Sequence, residues 1–130
     1  MNTLLSPIKV LFVDDEPALR DLGADLLTEE GYEVVCANNA REALELFTQH
    51  QQPFDVVVTD ESMPGMTGAE LAQKLFEIAP HMPVILCSGY HLSMADEGIN
   101  ATNIRAVLAK TDVFSSLPAT IAGLFSRDQR

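Results

Sequence analysis

Phe54-Asp55-Val56-Val57-Val58-Thr59-Asp60-Glu61-Ser62-Met63-Pro64-Gly65-Met66-Thr67-Gly68 is the stretch that decides the fold. Three successive valines inside Phe54–Thr59 are a strong strand signal, because β-branched side chains fit a pleated surface. The strand stops at Asp60. Pro64, Gly65 and Gly68 then mark a tight loop. Thr67, with Glu70 three residues later, has the spacing of a capping box. Leu71, Leu75 and Ile78 follow at helical spacing, and Pro80 closes the helix. One buried strand, one polar loop and one helix thus succeed each other within a short span.

The same unit repeats on either side. Lys9–Val13 is an apolar run too short for a helix, ending at Asp14-Asp15. Leu19, Leu22, Leu26 and Leu27 follow at helical spacing, with Gly31 placed to stop them. Glu33–Ala37 reads as a second strand. Asn39 and Glu42 start a second helix, whose apolar face is Ala43, Leu44 and Phe47. Beyond Pro80, Val84–Cys87 reads as a fourth strand, Ser93–Gly98 as a short helix and Ala106–Ala109 as a fifth strand. Leu117, Ile121, Leu124 and Phe125 line a last helix. Pro118 belongs in a first turn, so that helix is expected to begin near Ser115 or Ser116. The order βαβαβαβαβα with near-continuous apolar strands predicts an α/β fold, a parallel sheet covered on both faces. Right-handed crossovers make it an open, doubly wound sheet. Residues 1–7 read as an N-terminal arm, 8–125 as one domain and 126–130 as a polar tail.

A chain of 130 residues fits one domain with its own core. Eight Lys and Arg against 19 Asp and Glu leave a formal charge of −11. Direct nucleic-acid binding needs a basic face to replace phosphate counterions, and the basic residues here are scattered. An acidic surface suits solubility, divalent cations and basic partners. Cys36 and Cys87 lie in apolar strand runs, outside any CxxC pair or metal spacing, and read as buried thiols in a reducing compartment. The first 30 residues hold no apolar stretch long enough for a signal peptide or membrane span, which makes the cytoplasm the expected location. His50, His81 and His91 share no spacing and read as surface residues. Met63 and Met66 flank the Pro-Gly turn and read as packing residues.

The chemistry sits at the strand ends. The first strand ends in Asp14-Asp15, the third in Asp60, the fourth in Ser88-Gly89 and the fifth in Lys110. In open α/β sheets ligands bind outside the carboxyl ends of the strands. If these strands are neighbours, three carboxylates meet at one edge and repel one another unless a positive charge intervenes. Hard oxygen ligands of this kind suit Mg²⁺, and a lysine opposite them suits a phosphoryl oxygen. Taken alone, each Asp after a strand is ordinarily a turn former or a cap, and Asp15 alone could simply cap the first helix.

The runs VLFVDDEP, VVVTDESMPGMTG, VILCSGY and AVLAK together resemble the receiver domains of bacterial response regulators, over about residues 8 to 125. The resemblance implies a flavodoxin-like fold with strand order 2-1-3-4-5. In that order Cys36 and Cys87 stand three strand spacings apart, roughly 14 Å, too far for a disulfide. It also implies roles. Asp60 receives a phosphoryl group from a phosphohistidine on a histidine kinase or a histidine phosphotransfer protein. Asp15, Asp60 and the backbone carbonyl of Ser62 ligate Mg²⁺, and Asp14 holds a metal-bound water. Ser88 and Lys110 bind phosphoryl oxygens. ILCSGY is similar to receivers at the C-terminus of hybrid histidine kinases. The chain departs from the family at Thr111, where a Pro usually follows the Lys, and at Val107, where an aromatic switch residue is common. Ser62 and Tyr90 stand where the family modulates dephosphorylation. The expected assembly is a monomer or weak dimer, because the face around the fourth helix is short and broken by Gly98.

Two other functions compete. A Mg²⁺-dependent phosphatase of the haloacid-dehalogenase type would need a DxD arrangement after the first strand, where this chain has Asp14-Asp15-Glu16. A pseudo-receiver, binding proteins without phosphorylation, would need the acidic pocket only as a relic. Asp14, Asp15, Asp60, Ser88 and Lys110 argue against it.

Overall fold

A computed structural model describes residues 7–49, 53–89 and 103–125. In chain order its elements are β1 (Lys9–Val13), α1 (Pro17–Glu29), β2 (Glu33–Ala37), α2 (Ala40–Gln49), β3 (Val56–Asp60), α3 (Gly68–Ile78), β4 (Val84–Ser88), β5 (Ile104–Ala109) and α4 (Val113–Phe125). The short helix expected over Ser93–Gly98 lies outside the described residues, as do His50, Tyr90 and His91.

The five strands form one parallel sheet in the order β2-β1-β3-β4-β5, as expected. Every residue of β1, β3 and β4 is buried, which explains why these strands read as unbroken apolar runs. β2 and β5 are the edges and are only partly buried. Alternate side chains point to opposite faces. Leu11, Val13, Val57, Val84 and Leu86 pack under α2 and α3 with Ala43, Leu71, Ala72 and Leu75. Val10, Phe12, Val58, Ile85 and Cys87 pack under α1 and α4 with Leu27, Leu117 and Ile121. Cys36 and Cys87 are both free thiols.

Local signals set the helix ends. α1 stops in a Schellman arrangement: Gly31 at φ 98° lets its own N–H reach the Thr28 carbonyl and the Tyr32 N–H reach Leu27. Asn39 Oδ1 accepts from the Glu42 N–H at 2.8 Å before α2, while the Glu42 carboxylate accepts from the Asn38 N–H. At α3 both halves of the Thr67–Glu70 capping box form.

Three expectations are corrected. Leu22 and Ile78 belong to the apolar rows that the helical spacing predicts, but each is 52% exposed. The inward rows are Gly23 with Leu27 in α1, and Gly68, Leu71, Ala72 and Leu75 in α3. Each residue turns the helix by about 100°, so with Gly23 and Leu27 inward Leu22 faces out. The last helix starts at Val113 rather than near Ser115, leaving Pro118 inside it. The earlier start extends the Leu117–Ile121 row to a buried Val113. Burying that side chain gains roughly 1.5–3 kcal/mol, of the order of the ~3 kcal/mol cost of an interior proline.

Candidate functional site

The sheet brings the strand-end residues to one edge. Asp14 lies one residue past β1, Asp60 is the last residue of β3, Ser88 the last of β4, and Lys110 lies one past β5. Backbone pairing continues beyond the strands. The Asp14 N–H donates to Ala37, that of Glu61 to Cys87 and that of Lys110 to Ser88, at 3.2, 2.8 and 2.8 Å. These rungs hold the polar residues in register with the core behind them.

One carboxylate oxygen from each of Asp14, Asp15 and Asp60 lies within 4.8 Å of the others. Asp14 and Asp60 are buried, while Asp15 is exposed. The Lys110 ammonium donates to Asp60 Oδ2 at 3.0 Å. Ser88 is buried beside them. The Ser62 N–H lies 3.4 Å from Asp60 Oδ1, a long contact. Asp15 does not cap α1: the residue before that helix is Glu16, and its N–H donates to Asp14 Oδ1 at 2.9 Å.

Burial pushes the Asp14 carboxyl above its ordinary value; the Glu16 N–H pulls it back in part, and the neighbouring Asp60 charge raises it again. Burial alone would lower the Lys110 ammonium. Its bond to Asp60 and the charges of Asp60, Asp14 and Asp15 outweigh that and raise it. Among the described residues, the site's three carboxylates outnumber its one ammonium. A cavity of about 30 Å³, room for about one water, lies beneath Asp60 and Lys110, walled by Phe12, Val58, Cys87, Val113 and Phe114. Burial first, and then the Asp60 and Asp14 charges, push the Cys87 thiol there up to about 12.

Several contributors were not legible in the sequence. The Arg20 guanidinium reaches back from α1 to donate to the Asp14 carbonyl at 3.0 Å. Glu61 bonds to the start of α3: its Oε1 accepts from the Ala69 N–H at 2.8 Å, and its carbonyl accepts from the Gly68 N–H at 3.0 Å. A Cβ on Gly68 would collide with the Asp60 carbonyl oxygen and lie 2.7 Å from Leu86 Cδ1. The glycine therefore lets α3 sit directly on the backbone of the aspartate. Only its turn-forming value was visible beforehand. The Lys110–Thr111 bond is trans, and Val107 packs half-buried on the α2–α3 side of the sheet.

The chain is similar to known proteins over most of its length. It is 36% identical over 95 residues to the chemotaxis protein CheY of Thermotoga maritima, covering 72% of this chain and 78% of that one. It is 38% identical over 82 residues to the response regulator FleR of Pseudomonas aeruginosa, covering 63% of this chain but spanning only 17% of FleR. Among solved structures, TrrA of Thermotoga maritima in complex with Mg²⁺-BeF superposes with a TM-score of 0.80 at 32% identity, covering 90% of this chain and 98% of that one. TrrA has also been solved in complex with the histidine kinase ThkA. The receiver domain of the hybrid histidine kinase CckA superposes with a TM-score of 0.73 at 30% identity, covering 88% and 96%. A family model described as the response regulator receiver domain matches residues 10–121. With the parallel sheet in the order 2-1-3-4-5 and an acidic pocket at its carboxyl edge, the chain belongs to the response regulator receiver family of two-component signalling.

Proposed function

We propose that the chain accepts a phosphoryl group on Asp60 in a Mg²⁺-dependent reaction, from a phosphohistidine on a histidine kinase or histidine phosphotransfer protein, and that the product alters its protein contacts. The observation that carries this reading is the Asp14, Asp15 and Asp60 cluster with Lys110 bonded to Asp60. Three clustered carboxylates and one lysine leave an excess of negative charge. The hard oxygen donors fit Mg²⁺ in type and spacing. Asp15, Asp60 and the Ser62 carbonyl would hold it directly, and Asp14 through a water. Asp14 suits the indirect part, since it is buried and already bonded to Glu16. When bound, the ion supplies charge neutralisation for the phosphoryl oxygens.

The chain's own residues then do the following. An Asp60 carboxylate oxygen forms the new P–O bond as the P–N bond to the donor imidazole breaks, and the imidazole leaves with the bonding pair. No general base is needed, because a carboxylate carries no proton to remove. Rate comes from in-line positioning and electrostatics. Lys110 is already at the acceptor and transfers its donor to a phosphoryl oxygen. The Ser88 hydroxyl donates to another. The proposal extends to a receiver body over residues 8–125 with flanking segments 1–7 and 126–130, acting in the cytoplasm as a monomer or weak dimer. Among the described residues no helix is long and apolar enough to cross a membrane.

The test is incubation with acetyl phosphate, with and without Mg²⁺, read by intact mass beside Asp60→Asn. The expected result is one phosphoryl adduct that requires both the ion and Asp60. Persistence of the adduct in Asp60→Asn would overturn the assignment.

A further inference from the structure

Glu61 takes no part in the chemistry above, although it follows the acceptor directly. It is half-buried, and two of its atoms are committed to the start of α3. Its carbonyl accepts from the Gly68 N–H at 3.0 Å, and its Oε1 accepts from the Ala69 N–H at 2.8 Å. Thr67 Oγ1 takes the next N–H, that of Glu70, at 3.1 Å. The first turn of a helix leaves N–H groups without intrahelical partners. In α3 those of its first three residues are all satisfied, two of them by Glu61. The loop 61–68 is thereby tied into a ring whose two ends meet at residue 61. Ser62, whose carbonyl is an expected ligand, is the next residue in that ring. Gly68, at the end of that ring, leaves no room for a Cβ against the Asp60 carbonyl oxygen.

We propose that Glu61 is a positioning residue. Its side-chain bond to the Ala69 N–H clamps the 61–68 ring and so fixes Asp60 and the Ser62 carbonyl in the arrangement that binds the divalent cation. This rests on the cation-binding reading above. The contribution is one of hydrogen bonding. A neutral acceptor of the same shape at position 61 keeps it, and a side chain without an acceptor loses it. The charge of Glu61 is a separate matter, since a carboxylate beside the pocket also attracts a cation.

Two variants separate these effects. Glu61→Gln keeps the acceptor and removes the charge; Glu61→Ala removes both. Mg²⁺ affinity is measured by calorimetric titration of wild type and both variants, after thermal unfolding shows that each is folded. Phosphorylation by acetyl phosphate is followed in parallel at saturating Mg²⁺. Loss of a cap-type hydrogen bond predicts that Glu61→Ala weakens Mg²⁺ binding about fivefold relative to Glu61→Gln. The phosphorylation rate at saturating ion should fall less. Equal affinities in the two variants would overturn the clamp, whether both match wild type or both are weakened by loss of charge. If wild type itself binds no Mg²⁺, the cation-binding reading fails, and the clamp as an aid to cation binding fails with it. Binding in wild type without the difference between variants removes the clamp alone.

Discussion

Val57 and Val58 are neighbours on β3 and both fully buried, yet they meet different surroundings. Val57 faces α2 and α3, among Ala43, Leu71, Ala72 and Leu75. On that side α3 lies so close that Gly68 has no room for a Cβ against Asp60 and Leu86. Val58 faces α1 and α4 and walls the cavity of about 30 Å³ beneath Asp60 and Lys110. On β3, therefore, Val57 lies on the face that α3 presses, and Val58 on the face that holds a small cavity under the site. The close face fixes the backbone of Asp60. The cavity face lies under the Asp60 and Lys110 side chains, which the proposed phosphoryl transfer would rearrange.

The largest expected effect is on the close face. Gly68→Ala inserts a methyl group against backbone and should destabilise the protein by about 2–3 kcal/mol, read by urea denaturation. A loss under about 0.5 kcal/mol would mean that α3 can retreat, and the contrast between faces would be lost. A sharper test uses one methylene on each face. Val57→Ile should cost roughly 1–2 kcal/mol, whereas Val58→Ile, growing towards the cavity, should be neutral or slightly stabilising. Equal costs would show the two faces to be packed alike.

The smallest effect concerns the thiols. Cys87 lies on the cavity face, 6% exposed, with its thiol pushed up to about 12 chiefly by burial. Cys36 is half-buried on an edge strand, and burial raises it too. Alkylation with iodoacetamide at pH 8 should label Cys36 slowly and Cys87 only on unfolding. A thiol whose folded value lies above its unfolded one keeps its proton in the native state. Its contribution is complete below the ordinary value of 9.0 and is lost as pH rises towards 12. Denaturant midpoints of wild type and Cys87→Ala should therefore converge across that window. A constant gap would separate the thiol's packing from its titration.

Much of the architecture was legible because period and punctuation agreed. Lys9–Val13 and Glu33–Ala37 match their expected bounds residue for residue. The capping pair Thr67–Glu70 formed as its spacing implied. The strand-end polar residues were legible because none of them falls mid-strand, so topology alone brings them together. What escaped was tertiary. The outward turn of Leu22 depends on which face of α1 a bare Gly23 presents to the sheet. The start of α4 depends on a pocket for Val113 that no local signal announces. Nothing local ties Glu61 to the next helix, and only the fold shows that an amide eight residues further on is within its reach.

Gly23 carries one last consequence. A Cβ there would stand 2.5 and 2.6 Å from two ring atoms of Phe12, the aromatic that also walls the cavity under Asp60. Positions 12 and 23 are thus a single steric decision made at two places in the chain. Among homologues a side chain at 23 should travel with a smaller residue at 12, a covariation that reports contact rather than shared chemistry. In mutational terms, Gly23→Ala and Phe12→Leu should each be harmful alone and partly cancel together. The size of the ring beneath Asp60 is therefore inherited jointly with the smoothness of α1 at position 23, a position that itself does not line the cavity.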